Sequence, residues 1–116
     1  MVGIITQKGI TVRQGDSFSI RLCFKDEKGY KNISGAIISM QVRNIDGSLL
    51  FTKIADIEDE TSGYATINLT PKETTIDVGE YFTDIEIKDA QGFVHTIYPQ
   101  NINNVAFFKI TAQVTE

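Results

Sequence analysis

At 116 residues, 41% hydrophobic and 22% charged, with a net charge of −4, the chain has the length of a single domain with a radius of gyration of about 13 Å. It can bury about two thirds of its unfolded surface, so it needs no metal or disulfide staple, and its one cysteine, Cys23, excludes an internal disulfide framework. No apolar run reaches the length of about 18 residues that a membrane span requires. The first eight residues lack the basic start and long apolar core of a secretory signal, and net acidity argues against nucleic acid as a partner.

The elements follow one another with a period of two, the mark of strands half buried against a core. Residues 1–8 read as an extended arm on a domain spanning 1–116. Gly9–Arg13 is a short first strand that ends at Gln14-Gly15-Asp16. In Ser17–Phe24, the residues Phe18, Ile20, Leu22 and Phe24 share one face, with Ser17, Ser19, Arg21 and Cys23 on the other. Ala36–Arg43 sets Ala36, Ile38, Met40 and Val42 against Ile37, Ser39, Gln41 and Arg43. Ser48–Ile54 has no clean face, which suits an edge strand or one covered on both sides. Tyr64–Leu69 directs Ala65, Ile67 and Leu69 inward, and Tyr81–Lys88 does the same with Tyr81, Thr83, Ile85 and Ile87. Phe93–Tyr98 is the return arm of a hairpin, and Val105–Val114 buries Ala106, Phe108, Ile110, Ala112 and Val114. Slipping any of these strands by one residue would turn its apolar set to water.

Turns fall at Asp26–Gly29, Asp46-Gly47, Ser62-Gly63 and Gln91-Gly92. One helical turn is expected over residues 71–76, with Thr70 as its cap and Pro71 at its first position, stopped by Asp77 and Gly79. Seven or eight short strands without real helices predict an antiparallel β-sandwich. Within it, Asp77-Val78-Gly79-Glu80-Tyr81 has the pattern of a tyrosine corner, in which Tyr81 turns its hydroxyl back onto upstream backbone and Gly79 gives the tight approach. That assignment makes the sandwich immunoglobulin-like. Thr83 stands where antibody domains carry the second cysteine, so packing alone must hold the sheets together.

Groups for catalysis are few. His95, the only histidine, lies in a strand beside apolar neighbours, so no histidine triad or paired-histidine metal site can be assembled. Cys23 lacks a histidine nearby in sequence and reads as a small packing residue. The acidic run Asp56–Glu60 is the best candidate for a cation such as calcium, but it lacks the alternating Asp-x-Asp-x-Gly spacing of a dedicated loop and reads as a solvated connection. Asn32-Ile33-Ser34 and Asn68-Leu69-Thr70 match the glycosylation triplet and mean little without a secretion signal. The expectation is a protein that is not an enzyme and has no catalytic, cofactor-binding or metal-binding residues. Residues 1–55 carry eight basic and four acidic groups, against three and eleven in residues 56–116. Solvated loops account for this split, and head-to-tail contact between copies is the alternative.

One family resemblance covers residues 9–115. Ile10-Thr11-Val12-Arg13-Gln14-Gly15-Asp16-Ser17-Phe18, then Ile33-Ser34-Gly35-Ala36 leading into Met40-Gln41-Val42-Arg43, Asp46-Gly47 and Leu49-Leu50-Phe51 carry its first half. Val78-Gly79-Glu80-Tyr81, Asp84-Ile85-Glu86-Ile87, Gln91-Gly92 and the stretch from Phe108 to Thr115 carry its second. In this order the segments resemble small immunoglobulin-like structural proteins of bacteriophages and prophages, a family that includes free-standing virion proteins and N-terminal modules of baseplate and tail-fibre proteins. The resemblance implies a structural module of the virion, assembled in the host bacterial cytoplasm, that docks to or connects tail, baseplate, fibre or head components. Its partners would be other virion proteins, with homo-oligomers open, and not nucleic acid, membrane or a small-molecule substrate. Pro99–Asn104 departs from the family pattern, because the polar insertion Gln100-Asn101-Ile102-Asn103-Asn104 lengthens the loop before the last strand.

A docking module should carry apolar side chains on faces that alternation assigns to solvent. Phe82, Phe107, Ile37, Val94 and Tyr98 are the candidate contacts, with Tyr64 beside them. Exposed strand edges would also accept a partner's strand. The alternative reading is a carbohydrate- or receptor-binding sandwich, with Phe93, Tyr98 and the Gln100–Asn104 loop as its platform.

Overall fold

The computed structural model describes residues 3–6, 9–26, 29–30, 32–99 and 106–112. In chain order the elements are β1 (Gly3–Thr6), β2 (Gly9–Arg13), β3 (Phe18–Cys23), β4 (Lys25–Asp26), β5 (Gly29–Tyr30), β6 (Ile37–Arg43), β7 (Leu49–Ile54), β8 (Asp56–Asp59), β9 (Tyr64–Leu69), α1 (Pro71–Thr74), β10 (Gly79–Lys88), β11 (Val94–Tyr98) and β12 (Ala106–Thr111). All eight expected strands are present, within one or two residues of their expected ends where those residues are described. Four short ones join them: the arm β1 pairs with β2, β4 and β5 form a small hairpin, and β8 replaces part of the acidic connection. Gln100–Asn104, Val105 and the end of the last strand from Gln113 onward lie outside the described residues.

The strands form an all-β, immunoglobulin-like sandwich. The larger sheet runs β1-β2-β12-β10-β6-β7, with β11 on β10 beside β12, and the smaller runs β3-β9-β8. Alternation decides which side chains meet between them. Ile10, Val12, Ile38, Met40, Val42, Ile85, Phe108 and Ile110 from the larger sheet face Phe18, Ile20, Ala65, Ile67 and Leu69 from the smaller. Burying a side chain of this size contributes about 1.5–3 kcal/mol, so this double layer is the main stabilising element. Two details depart from a uniform antiparallel sandwich. β2 and β12 pair in parallel, since the first and last long strands become neighbours and run the same way. The domain is also elongated, with extents of 46 × 28 × 20 Å and a radius of gyration of 14.6 Å, larger than compact scaling predicts.

Two corners tie the sheets together. Ala55, buried between β7 and β8, donates its N–H to the Ile38 carbonyl at 2.8 Å while the chain crosses from one sheet to the other. Opposite, α1 is shorter than expected. A reciprocal capping box holds it: Thr70 Oγ1 accepts from the Glu73 N–H at 3.3 Å and Glu73 Oε1 accepts from the Thr70 N–H at 2.9 Å. Lys53 Nζ on β7 reaches the same Glu73 carboxylate at 3.0 and 3.1 Å. Buried Thr74 donates to the Asp16 carbonyl at 2.7 Å and Gln14 Nε2 donates to Ile76 at 2.8 Å, which fixes the helical turn to the β2–β3 bend.

Candidate docking surface

β10 begins at Gly79, two residues earlier than alternation alone indicated, and Gly79 has φ +151, a conformation that side-chain-bearing residues rarely take. Tyr81 is buried as the third residue of the strand, and its hydroxyl donates to the Asp77 carbonyl at 2.6 Å. Burial, helped by the Asp77 charge, pushes this phenol above its ordinary pKa. Asp77, Gly79 and Tyr81 thus lock the entry of the central strand, and every outward residue of β10 is placed from there.

On the outer face of the larger sheet, cross-strand register forms rows. One row runs Arg43, Phe82, Phe107, Gly9 across β6, β10, β12 and β2. The two phenyl rings lie 5.4 Å apart at 33°, within the range of favourable aromatic pairing. Phe82 is half-buried and Phe107 is 37% exposed, so the pair forms a ledge rather than two isolated side chains. Gly9 is required at its end, because a Cβ there would meet the Phe107 carbonyl oxygen at 2.6 Å. Arg43 is pinned beside the ledge, donating to Gln41 Oε1 at 3.0 Å and the Gly47 carbonyl at 3.1 Å.

Two residues along β10, Asp84 was not expected as part of the surface. Its Oδ1 is buried without a hydrogen-bond partner, in a cleft of about 30 Å³ lined by Gln41, Arg43, Phe82 and Thr83. Burial raises the carboxyl pKa, and the Arg43 charge pulls it partly back. Nothing in the spacing of Phe82 and Asp84 along the sequence signals this neighbourhood, which the cross-strand pairing of Asp84 with Gln41 creates.

The remaining candidates divide. Ile37 and Val94 are exposed on the same outer face, flanking Lys88 in one row. They lie about 20 Å from the phenylalanine ledge at about 3.3 Å per residue, so the face carries two apolar regions and not one. Tyr98 is not on this face. A bulge between Ile85 and Glu86 pairings inserts Ile97, which reverses the alternation and packs both Ile97 and Tyr98 against the core. Burial pushes the Tyr98 phenol up as well. Tyr64 lies half-buried under Arg21, whose guanidinium carbon is 4.6 Å from the ring centre.

Asp56–Asp59 is a strand, not a solvated loop, because β9 needs a partner on its open side and the carboxylates find donors there. Asn68 Nδ2 donates to Asp56 at 3.3 Å, Thr66 donates to Glu58, Arg21 Nε sits 3.7 Å from Glu58, and Thr61 and Ser62 donate to Asp59. These bonds from Thr61 and Ser62 hold the Asp59 carboxyl below its usual range. Among the described residues no three Asp, Glu, His or Cys side chains are grouped to hold a metal ion. Cys23 is exposed with Ser19 and Arg21, not a packing residue, as its place in the β3 alternation requires. His95 lines a separate cleft of about 170 Å³ with Asn32, Ser34, Asp89 and Gln91, next to the exposed Phe93 hairpin.

No family model matches the chain, and no curated protein matches it. Among solved structures the chain is similar to CopC from Methylosinus trichosporium OB3b, at 12% identity and a TM-score of 0.52 over 99% of this chain and 97% of that one. It is also similar to the N-terminal domain of phage TP901-1 ORF48, at 13% identity and 0.49 over 91% and 88%. A third is murine CRIg, at 10% and 0.40 over 91% and 92%. At 12% identity the CopC likeness speaks for the fold and for nothing else.

Proposed function

We propose that the chain is a non-enzymatic assembly module of a bacteriophage particle, docking to another virion protein through the outer face of its seven-stranded sheet. The observation that carries this reading is the Phe82–Phe107 ledge, two large aromatic rings presented outward from adjacent central strands on a locked scaffold. Aromatic side chains presented this way are the usual anchors of protein interfaces, because they bury much area at little loss of conformational freedom. The ordered family resemblance over residues 9–115 supplies the virion context. The test is the double variant Phe82→Ser/Phe107→Ser, expressed in place of the native chain during particle production. Its circular dichroism should match that of the native protein, while its peptides disappear from purified particles. Undiminished incorporation of the variant would refute the ledge as a contact.

A second reading, a carbohydrate-binding sandwich, is favoured by the cleft of Asn32, Ser34, Asp89, Gln91 and His95 beside Phe93. Amide, carboxylate and imidazole groups near an exposed ring are the chemistry that recognises sugar hydroxyls and faces. Binding of the isolated domain to arrayed glycans favours this reading over docking.

A further inference from the structure

We infer that the partner seated on this face reaches Asp84 with a positively charged side chain, an arginine by its shape, laid along the Phe82 ring. The inference rests on the docking reading above and adds to it the chemistry of the partner. Asp84 follows Phe82 by two residues on the outer side of β10, about 7 Å along the strand. Among the described residues, its Oδ1 is the one buried side-chain oxygen or nitrogen without a hydrogen-bond partner. Buried polar atoms in folded proteins are nearly always bonded, and each exception asks for a cause.

The donors around Oδ1 are committed elsewhere. The Thr83 hydroxyl donates to the Gln41 carbonyl at 2.7 Å. Arg43 uses Nη2 on Gln41 Oε1 and Nη1 on the Gly47 carbonyl, so its charge pulls on Asp84 without bonding Oδ1. Turning Arg43 onto Oδ1 would break the bonds that brace the Gly47 turn. Burial disfavours the carboxylate, and a donor brought by a partner would offset that cost. Groups perturbed in this way, beside a cleft, concentrate at binding sites.

Charge and shape select the donor. On the outer side of β10, Lys109 stands opposite Glu80. The cross-strand row of Asp84 holds Gln41 and Thr52, and that of Glu86 holds Ser39, Ile54 and Thr96. Two carboxylates with no cation in their described rows complement a positive partner. The cleft over Asp84 is about 30 Å³ and walled in part by Phe82, so it admits the tip of a long side chain and excludes backbone. A guanidinium suits both walls: its edge donates to the carboxylate and its plane lies on the phenyl ring. A lysine ammonium would bond Asp84 as a point charge and leave the ring uncovered.

The test expresses Asp84→Asn and Phe82→Ser/Phe107→Ser separately in place of the native chain during particle production. Asp84→Asn keeps the ledge and the side-chain shape, so it should keep the native circular dichroism and melt no lower than the native protein. Its peptides should nevertheless fall about tenfold or more in purified particles, as loss of one partner of a buried charge pair demands. In the isolated protein, N-acetylarginine amide at tens of millimolar should shift the Asp84 carboxyl and Phe82 ring NMR resonances. Uncharged N-acetylcitrulline amide should leave both in place. Loss of the phenylalanine variant with undiminished incorporation of Asp84→Asn overturns this inference and leaves the ledge standing, since solvent then suffices for Oδ1. Undiminished incorporation of both variants removes the ledge and the inference together. Equal shifts with the two amides, or shifts with neither, overturn the assignment to arginine.

Discussion

Tyr81→Phe isolates one oxygen atom. The phenyl ring stays in its buried site, so the change removes a hydrogen bond of 2.6 Å to Asp77 and little else. A net intramolecular bond is worth about 0.5–1.5 kcal/mol. Because Asp77 is exposed, water can take over its carbonyl, so the loss falls near the middle, about 1 kcal/mol. For a domain of this size that corresponds to roughly 3–6 °C in Tm. Urea titration followed by circular dichroism should show a lower midpoint with an unchanged slope. The pH dependence adds a second signature. The folded phenol has its pKa raised by burial and by Asp77, so the native fold holds this proton more tightly than the unfolded chain. The stabilisation is therefore complete below the unfolded value of about 10 and is lost as pH climbs through the higher folded value. The phenylalanine variant has no such proton, so the gap between the two proteins should narrow above about pH 10. Equal midpoints at pH 7 would refute the view that this bond secures the entry to β10.

Gly9→Ala should destabilise by about 1–3 kcal/mol, the usual range for forcing a group into filled space, since the added carbon meets backbone at 2.6 Å; amide exchange should quicken in β2 and β12 before β3 and β9. Asp84→Asn should stabilise the fold at pH 7, because it removes a carboxylate whose pKa burial has raised. The sign follows from linkage: the folded state binds this proton more tightly, so the native chain is penalised once pH exceeds 3.8 and through the higher folded value, and the variant's advantage should fade toward pH 3, where the carboxyl is protonated in the folded and the unfolded state alike. An advantage that persists unchanged at pH 3 would point to altered packing instead of charge.

Strand identity was legible because each buried strand alternates cleanly, and Phe18–Cys23, Ile37–Arg43 and Tyr64–Leu69 show how a period of two survives into burial. What alternation cannot supply is register between strands far apart in the chain. Phe82 and Phe107 could both be assigned outward, but their direct opposition depends on how β12 slides along β10. Tyr98 was misassigned for a related reason: one inserted residue, Ile97, reverses the parity, and nothing in Phe93–Tyr98 marks the bulge. Asp56–Asp59 was hidden because a run of carboxylates has low strand propensity by itself. It becomes a strand only when Arg21, Thr66 and Asn68 from β3 and β9 stand opposite to receive the charge. Asp84 looked like an ordinary solvent-facing position, and its burial comes from Gln41 and Arg43 on β6 together with Phe82 on its own strand.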